Sequence, residues 1–265
     1  THPSSIKKYN LDSIKNINQN SNYNLIIGHR RLSIQDLTSL GHQPMTSICE
    51  NYVVAYNGEI YNFEVLKTEL IQKGYSFKSS TDTEVLLNGY IEWGNNLLNR
   101  LNGMFSFIIF NKKRNSVFIA RDRFGVKPLY YYFKNNGDLY LASEIKQFTA
   151  LNNWESILNN DRAYDYLCFA QTDHTNETMF EGVYQVPPGH YCEFKINNFS
   201  KKIEFKKWYF LKKKRFRGTL KEAAEKLRVL FKNAVEIRMK ADVPIGTCLS
   251  GGIDSSSIAC VVNNL

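Results

Sequence analysis

The sequence predicts a β-rich α+β unit followed by the opening of a parallel α/β unit, and three observations predict it. Short alternating or β-branched runs dominate up to residue 143, with only two stretches of helical spacing among them. An amphipathic stretch at 219–235 then leads into an apolar run at 243–249. That run ends in Leu249-Ser250-Gly251-Gly252-Ile253-Asp254-Ser255-Ser256, and a helix-competent segment at 255–262 follows it, so the order is strand, glycine-rich turn, helix.

Residues 25–34 and 52–57 read as strands. At 63–73 the apolar residues Phe63, Leu66, Leu70 and Ile71 share one helix face, and Gly74 supplies the C-terminal stop. A second helix is expected from Asp82, because Thr81 and Glu84 form a Thr-x-x-Glu capping box ahead of Val85, Leu86, Tyr90 and Trp93. The runs at 104–110, 116–121, 128–133 and 138–143 read as consecutive hairpins. Residues 151–208 are mixed, with Pro187-Pro188-Gly189 as a firm turn. Thr219 and Glu222 make another capping box, followed by Leu220, Ala223, Leu227, Leu230, Ala234 and Val235 at helical spacing. The expected division is a first domain over 1–170, a connector over 171–214 and the start of a second domain over 215–265.

At 43% hydrophobic residues the 265-residue chain can pack a core. It has no apolar run long enough to span a bilayer, and its polar opening, 1–24, lacks the order of a secretion signal. A soluble, cytoplasmic protein without a membrane partner is expected. The five cysteines, Cys49, Cys168, Cys192, Cys248 and Cys260, lack metal-ligand spacing and read as reduced structural thiols. The net charge of +9 is concentrated in Lys201, Lys202, Lys206, Lys207, Lys212, Lys213, Lys214, Arg215 and Arg217. Such a cluster is able to bind a phosphate backbone. Here it alternates with Phe205, Trp208, Tyr209, Phe210 and Phe216, which fits an edge strand that buries its aromatics and keeps its lysines wet, so no nucleic-acid partner is expected.

The terminal loop carries the clearest chemistry. Gly251 and Gly252 let the backbone close on an anion, and a helix N-terminus adds partial positive charge. Ser250, Ser255 and Ser256 add hydroxyls, and Asp254 is placed to position Mg²⁺ or to order the loop. In the first unit, Asn57-Gly58-Glu59 ends an apolar run; an amide and an unobstructed N–H there would hold an oxyanion, although Asn-Gly is also the commonest hairpin turn. Arg31 is able to grip a carboxylate, and Asp82, relieved of capping by Thr81, is free to face an amine. Together they describe an amino-acid pocket.

Several motifs then fall into one order: Gly28-His29-Arg30-Arg31-Leu32-Ser33-Ile34, Gln43-Pro44-Met45, Tyr56-Asn57-Gly58-Glu59-Ile60-Tyr61-Asn62, Asp82-Thr83-Glu84-Val85, Ala120-Arg121-Asp122-Arg123-Phe124-Gly125-Val126-Lys127-Pro128-Leu129-Tyr130-Tyr131, Ala142-Ser143-Glu144-Ile145-Lys146, Pro187-Pro188-Gly189-His190 and the loop from Ser250. In these the chain resembles the glutamine-hydrolysing asparagine synthetases from about residue 25 to its last residue. The resemblance implies a four-layer α+β sandwich of the N-terminal-nucleophile amidotransferase type, then the beginning of a parallel-sheet ATP-pyrophosphatase domain. It implies glutamine binding by Arg31, Leu32, Ser33, Ile34, Gln35, Asn57, Gly58, Glu59 and Asp82, with Asn57 and Gly58 lining the oxyanion hole. It implies ATP binding with Mg²⁺ by Leu249, Ser250, Gly251, Gly252, Asp254, Ser255 and Ser256, aspartate as the acceptor through an aspartyl-adenylate, and a homodimer for the full-length enzyme. Amidation of a different carboxylate, or a glutamine-binding module without catalysis, are the alternatives. The family opens on a nucleophilic cysteine, whereas this chain opens Thr1-His2-Pro3. A chain shortened at both ends, catalysing neither half-reaction as it stands, is therefore expected rather than a nucleophilic Thr1.

Overall fold

The computed structural model describes residues 24–151, 154–199 and 202–265; Thr1 lies outside the described residues, as does Lys201 of the basic cluster. Among the described residues nine strands form two antiparallel sheets. The larger sheet runs β1 (Met45–Thr46), β2 (Tyr52–Ile60), β3 (Gly103–Asn111), β4 (Ser116–Arg121), β8 (His190–Lys195) and β9 (Lys206–Lys207), in that spatial order. The smaller sheet places β5 (Tyr130–Phe133) between β6 (Leu139–Ala142) and β7 (Val183–Gln185).

Helices α1 (Phe63–Gln72) and α2 (Asp82–Trp93) cover one face of the larger sheet, with the short α3 (Leu97–Arg100) following. Alternation along β3 explains the layering. Phe105, Phe107 and Ile109 join Leu66, Leu70, Val85 and Leu86 under the helices, while Ile108 and Phe110 point the other way, toward Leu129, Tyr131 and Leu141 of the smaller sheet. A third cluster, in which Phe148, Trp154 and Phe180 pack on Tyr130, Tyr132 and Tyr140, closes the outer face of the smaller sheet. The result is an α+β sandwich whose outermost layer is a 3₁₀ turn, Ile145–Ala150, rather than a long helix.

Of the two sequence-derived helices of the first unit, α1 has no side-chain N-cap, whereas α2 starts and stops as its caps dictate. Thr81 Oγ1 accepts from Glu84 N at 3.2 Å, and Gly94, at φ 57°, turns the chain out of α2. The capping box is only half formed, because the Glu84 carboxylate accepts from Lys78 N (3.0 Å) and Ser79 N (2.7 Å) instead of reaching back to Thr81 N. The expected run of consecutive hairpins is broken once. β3 and β4 pair, and β5 and β6 pair, but β4 takes β8 as its other neighbour and the chain crosses to the second sheet between them. Residues 171–214, expected as a connector, supply β7, β8 and β9. Residues 25–34 form no strand; Leu25 packs into the core between the sheets and the rest runs along a cavity.

The crossing at 122–129 is held by two buried side chains. Asp122, 1% exposed, accepts from Phe124 N and Val126 N at 3.0 Å and from Lys127 N at 2.9 Å. Arg121 donates to the carbonyls of Gly125 (2.8 Å), Lys127 (2.9 Å) and Val186 (2.6 Å) and to Gln185 Oε1 (3.1 Å). Only the start of the basic aromatic segment docks on this knot: Lys206 and Lys207 are exposed on the edge strand, Trp208 stacks on Phe105, and Trp208 Nε1 donates to Arg121 O at 3.2 Å, whereas Phe210 and Phe216, expected to be buried, are 62% and 47% exposed.

Beyond it, α4 (Asn160–Phe169) lies in the first unit, and α5 (Leu220–Glu236) and α6 (Ile253–Asn263) lie in the second. The Thr219–Glu222 capping box of α5 is complete. The strand expected at 243–249 is unpaired, because no other strand of the second unit is present among the described residues to receive its hydrogen bonds.

Candidate functional site

A cavity of about 970 Å³ opens between the two sheets, floored by Ala55, Asn57 and Glu59 of β2 and by Ser106 and Ile108 of β3. Arg31, Leu32, Ile34 and Gln35 form one wall, Asp82 and Thr83 another, and Lys127 and Ser143 lie on the opposite side. Of the sequence-derived glutamine residues, only Ser33 is not part of the lining.

Asn57-Gly58 is not a turn. Both residues lie within β2, opposite Ser106 and Phe105, and the strand continues to Ile60. Glycine is required at 58 by close approach: a Cβ there would stand 2.2 Å from Met104 O and 2.7 Å from Phe105 Cα. Alternation then brings Asn57 and Glu59 to the cavity face while Tyr56 and Ile60 pack under the helices.

Asp82 is 6% exposed, and its Oδ2 accepts from Tyr56 Oη at 2.7 Å and Ile60 N at 2.9 Å. Burial raises its pKa above the ordinary carboxylate value, against the pull of those donors. Burial likewise raises Glu59, and the neighbouring Asp82 charge adds to it. Two carboxyl groups held short of water beside one cavity favour a cation between them. Tyr56, whose pKa rises well above its usual value through burial and then the Asp82 charge, remains a donor.

Arg31 turns its guanidinium onto its own loop, donating from Nη2 to Gln35 O (2.6 Å) and Asp36 O (2.7 Å) and from Nη1 to Thr38 O (3.2 Å). These bonds tie the guanidinium to the loop backbone, so three of the donors expected for a ligand carboxylate are already used within the loop. Residues outside the sequence-derived set build the other edge. Gln43 Oε1 accepts from Tyr56 N at 2.7 Å, and His29 Nε2 donates to Tyr56 O at 3.0 Å. Burial first, then the Arg31 charge, lowers the His29 pKa, and its Nδ1 is buried without a partner among the described residues. The only sequence signal for these two was their place within the motifs, which assigns no role.

The phosphate-type loop lies apart from the cavity, none of its residues belonging to the lining. Gly251 adopts φ 81°, and no side chain caps the start of α6 at Gly252. Ser255 Oγ lies 2.9 Å from Ser250 Oγ and donates to Gly252 O at 3.1 Å, which closes the loop on itself. The uncapped helix start and the left-handed glycine suit a phosphate. No group of three or more His, Cys, Asp or Glu that could hold a metal occurs among the described residues, and Asp254 lies exposed in the first turn of α6.

The family described as a glutamine amidotransferase domain matches residues 14–209. This chain belongs to that glutamine amidotransferase family. The family described as asparagine synthase matches residues 226–265, after the amidotransferase unit. Asparagine synthetase [glutamine-hydrolyzing] 3 of Bacillus subtilis is 33% identical over 241 residues, 90% of this chain and 38% of the relative. Amidase chry2 of Gibberella zeae is 36% identical over 250 residues, 92% of this chain and 36% of the relative. The chain thus spans little more than a third of the length of these relatives. A solved B. subtilis glutamine phosphoribosylpyrophosphate amidotransferase overlaps 64% of this chain and 32% of its own, at 22% identity and a TM-score of 0.44. Among the described residues no helix is long and apolar enough to cross a membrane.

Proposed function

We propose that the cavity binds L-glutamine and that the protein carrying this chain uses the ammonia released from it to make asparagine from aspartate. The observation that carries the reading is the pair of carboxyl groups, Asp82 buried and Glu59 half-buried, both with raised pKa, on the same cavity as Asn57 and Gly58. Asp82 and Glu59 hold the α-ammonium, and Arg31 with the backbone of Leu32, Ser33, Ile34 and Gln35 receives the α-carboxylate. The side-chain amide then lies over Asn57 and Gly58, whose N–H groups stabilise the oxyanion that forms when the amide carbon is attacked. The roles proposed for the lining residues are binding and polarisation of glutamine.

At the second unit, Leu249, Ser250, Gly251, Gly252, Asp254, Ser255 and Ser256 cradle ATP. The aspartate side-chain carboxylate attacks the α-phosphorus, pyrophosphate leaves, and ammonia displaces AMP from the aspartyl-adenylate to give asparagine. Mg²⁺ beside Asp254 would neutralise the phosphate charge. A second reading keeps the same two steps and amidates another carboxylate.

Titration calorimetry of the chain with L-glutamine tests the site. Binding is expected, and Asp82→Asn should weaken it by about tenfold or more through loss of a charge-assisted contact, with the fold kept because the amide oxygen still accepts from Tyr56 and Ile60. Equal affinity in both proteins, or none in either, would sink the reading. ATP-pyrophosphate exchange in the complete protein, dependent on aspartate or on another carboxylic acid, separates the two acceptors.

A further inference from the structure

The loop that walls the cavity is also tied to the segment that joins the two units. Asp36 has φ 50°, a left-handed value that non-glycine residues seldom hold without support. Its carboxylate supplies part of that support, accepting from Thr38 N at 3.1 Å and Ser80 N at 2.9 Å, next to the Thr81 cap and Asp82. The rest comes from 206 residues further along the chain: Asp242 Oδ2 accepts from Asp36 N at 2.7 Å, and Asp242 N donates to Ile34 O at 3.0 Å. This two-point contact has the form of a strand pairing closed at one end by a side chain. Adjacent contacts run in the same direction. Lys240 pairs with Glu64 at the start of α1, and the Arg238 guanidinium sits 4.3 Å from the Tyr61 ring centre, two residues past Glu59.

We propose that Asp242 is a positioning residue for the glutamine loop: it fixes Ile34, Gln35 and Asp36 from the join between the units, so the binding geometry of the cavity is completed by the second unit and not by the amidotransferase unit alone. The inference rests on the glutamine reading of the cavity. Asp242 acts at one remove from the cavity: it holds the Asp36 amide and the Ile34 carbonyl, and so the stretch that carries the lining residues Ile34 and Gln35. Leu249 lies seven positions further on, so Asp242 stands where the chain passes from α5 to the phosphate loop.

The test compares the unaltered chain with Asp242→Ala and Asp242→Asn by L-glutamine calorimetry and by hydrogen exchange. Asp242 is itself exposed, so neither change threatens the core. Asp242→Ala should weaken glutamine binding about fivefold, while Asp242→Asn, whose amide oxygen still accepts from Asp36 N, should stay within about twofold. Exchange should speed up in Asp242→Ala at residues 34–38 and not in α2 or β3, a local pattern that general destabilisation would not give. Unchanged affinity or a uniform rise in exchange would overturn the inference alone. Failure of the unaltered chain to bind glutamine would overturn the cavity's reading, and this inference with it.

Discussion

The unit that contains the cavity and the unit that contains the phosphate-type loop obey the same local rules and differ in what covers them. In the first, Val54, Ile60, Leu70, Phe105 and Ile119 are fully buried between helices and sheets. In the second, only Val235 among the described residues belongs to the core, while Leu220, Leu227, Leu230 and Ile253 are each more than half exposed. Yet the complete capping box is in α5 and the half-formed one in α2. Caps decide where a helix begins; burial decides what the helix contributes to stability.

Paired substitutions sharpen that contrast most. Phe118→Ala removes a ring that packs against Tyr90, Phe107 and Tyr191, and it should cost about 3–5 kcal/mol in urea unfolding. Leu227→Ala on exposed α5 should change the same measurement by less than about 0.5 kcal/mol. Similar values for the two would break the comparison. Within the first unit, Gly58→Ala should cost about 1–3 kcal/mol, because the added methyl meets the β3 backbone, and glutamine affinity should fall with it as Asn57 and Glu59 are displaced. Retained affinity with wild-type stability would show that the strands have room to part.

The smallest effect concerns pH. Asp82 and Glu59 must be ionised to hold an ammonium, and both have raised pKa values, so glutamine affinity should decline as pH falls from 7, before ordinary carboxylates protonate, by at most about 1.4 kcal/mol per unit for each group. Asp36 behaves oppositely. Although burial opposes it, hydrogen bonds from Thr38 and Ser80 depress its pKa to about 2, so the stability it contributes is complete above pH ~4 and is lost only as pH falls toward 2. Calorimetry and circular dichroism over this range should therefore show binding lost while the fold persists; simultaneous loss would contradict the assignment.

Much of this was readable in the chain because its signals are local. The spacing of Leu66 and Leu70, the Thr81 cap and the alternation around β3 each specify an element within a few residues. Asn57-Gly58 misled as an isolated dipeptide, since its reason is the approach of Met104 and Phe105, more than 40 residues away. Gln43, His29 and Tyr56 escaped notice as site residues because their contacts with one another and with Asp82 exist only after β2 is laid against α2. The assignment of β8 to the larger sheet depends on pairing with β4, which no periodicity within either strand encodes.

The Arg121–Asp122 knot sets an order of events during synthesis. Its hydrogen bonds end on Gln185, Val186 and Gly189, and its outer face is closed by Trp208. The β5–β6 hairpin can close as soon as residue 142 is available, whereas the two sheets cannot be fastened together until residue 208 has left the ribosome. A nascent chain paused before that point would carry the helices and most of the strands of the first unit, but its cavity would have no fixed walls.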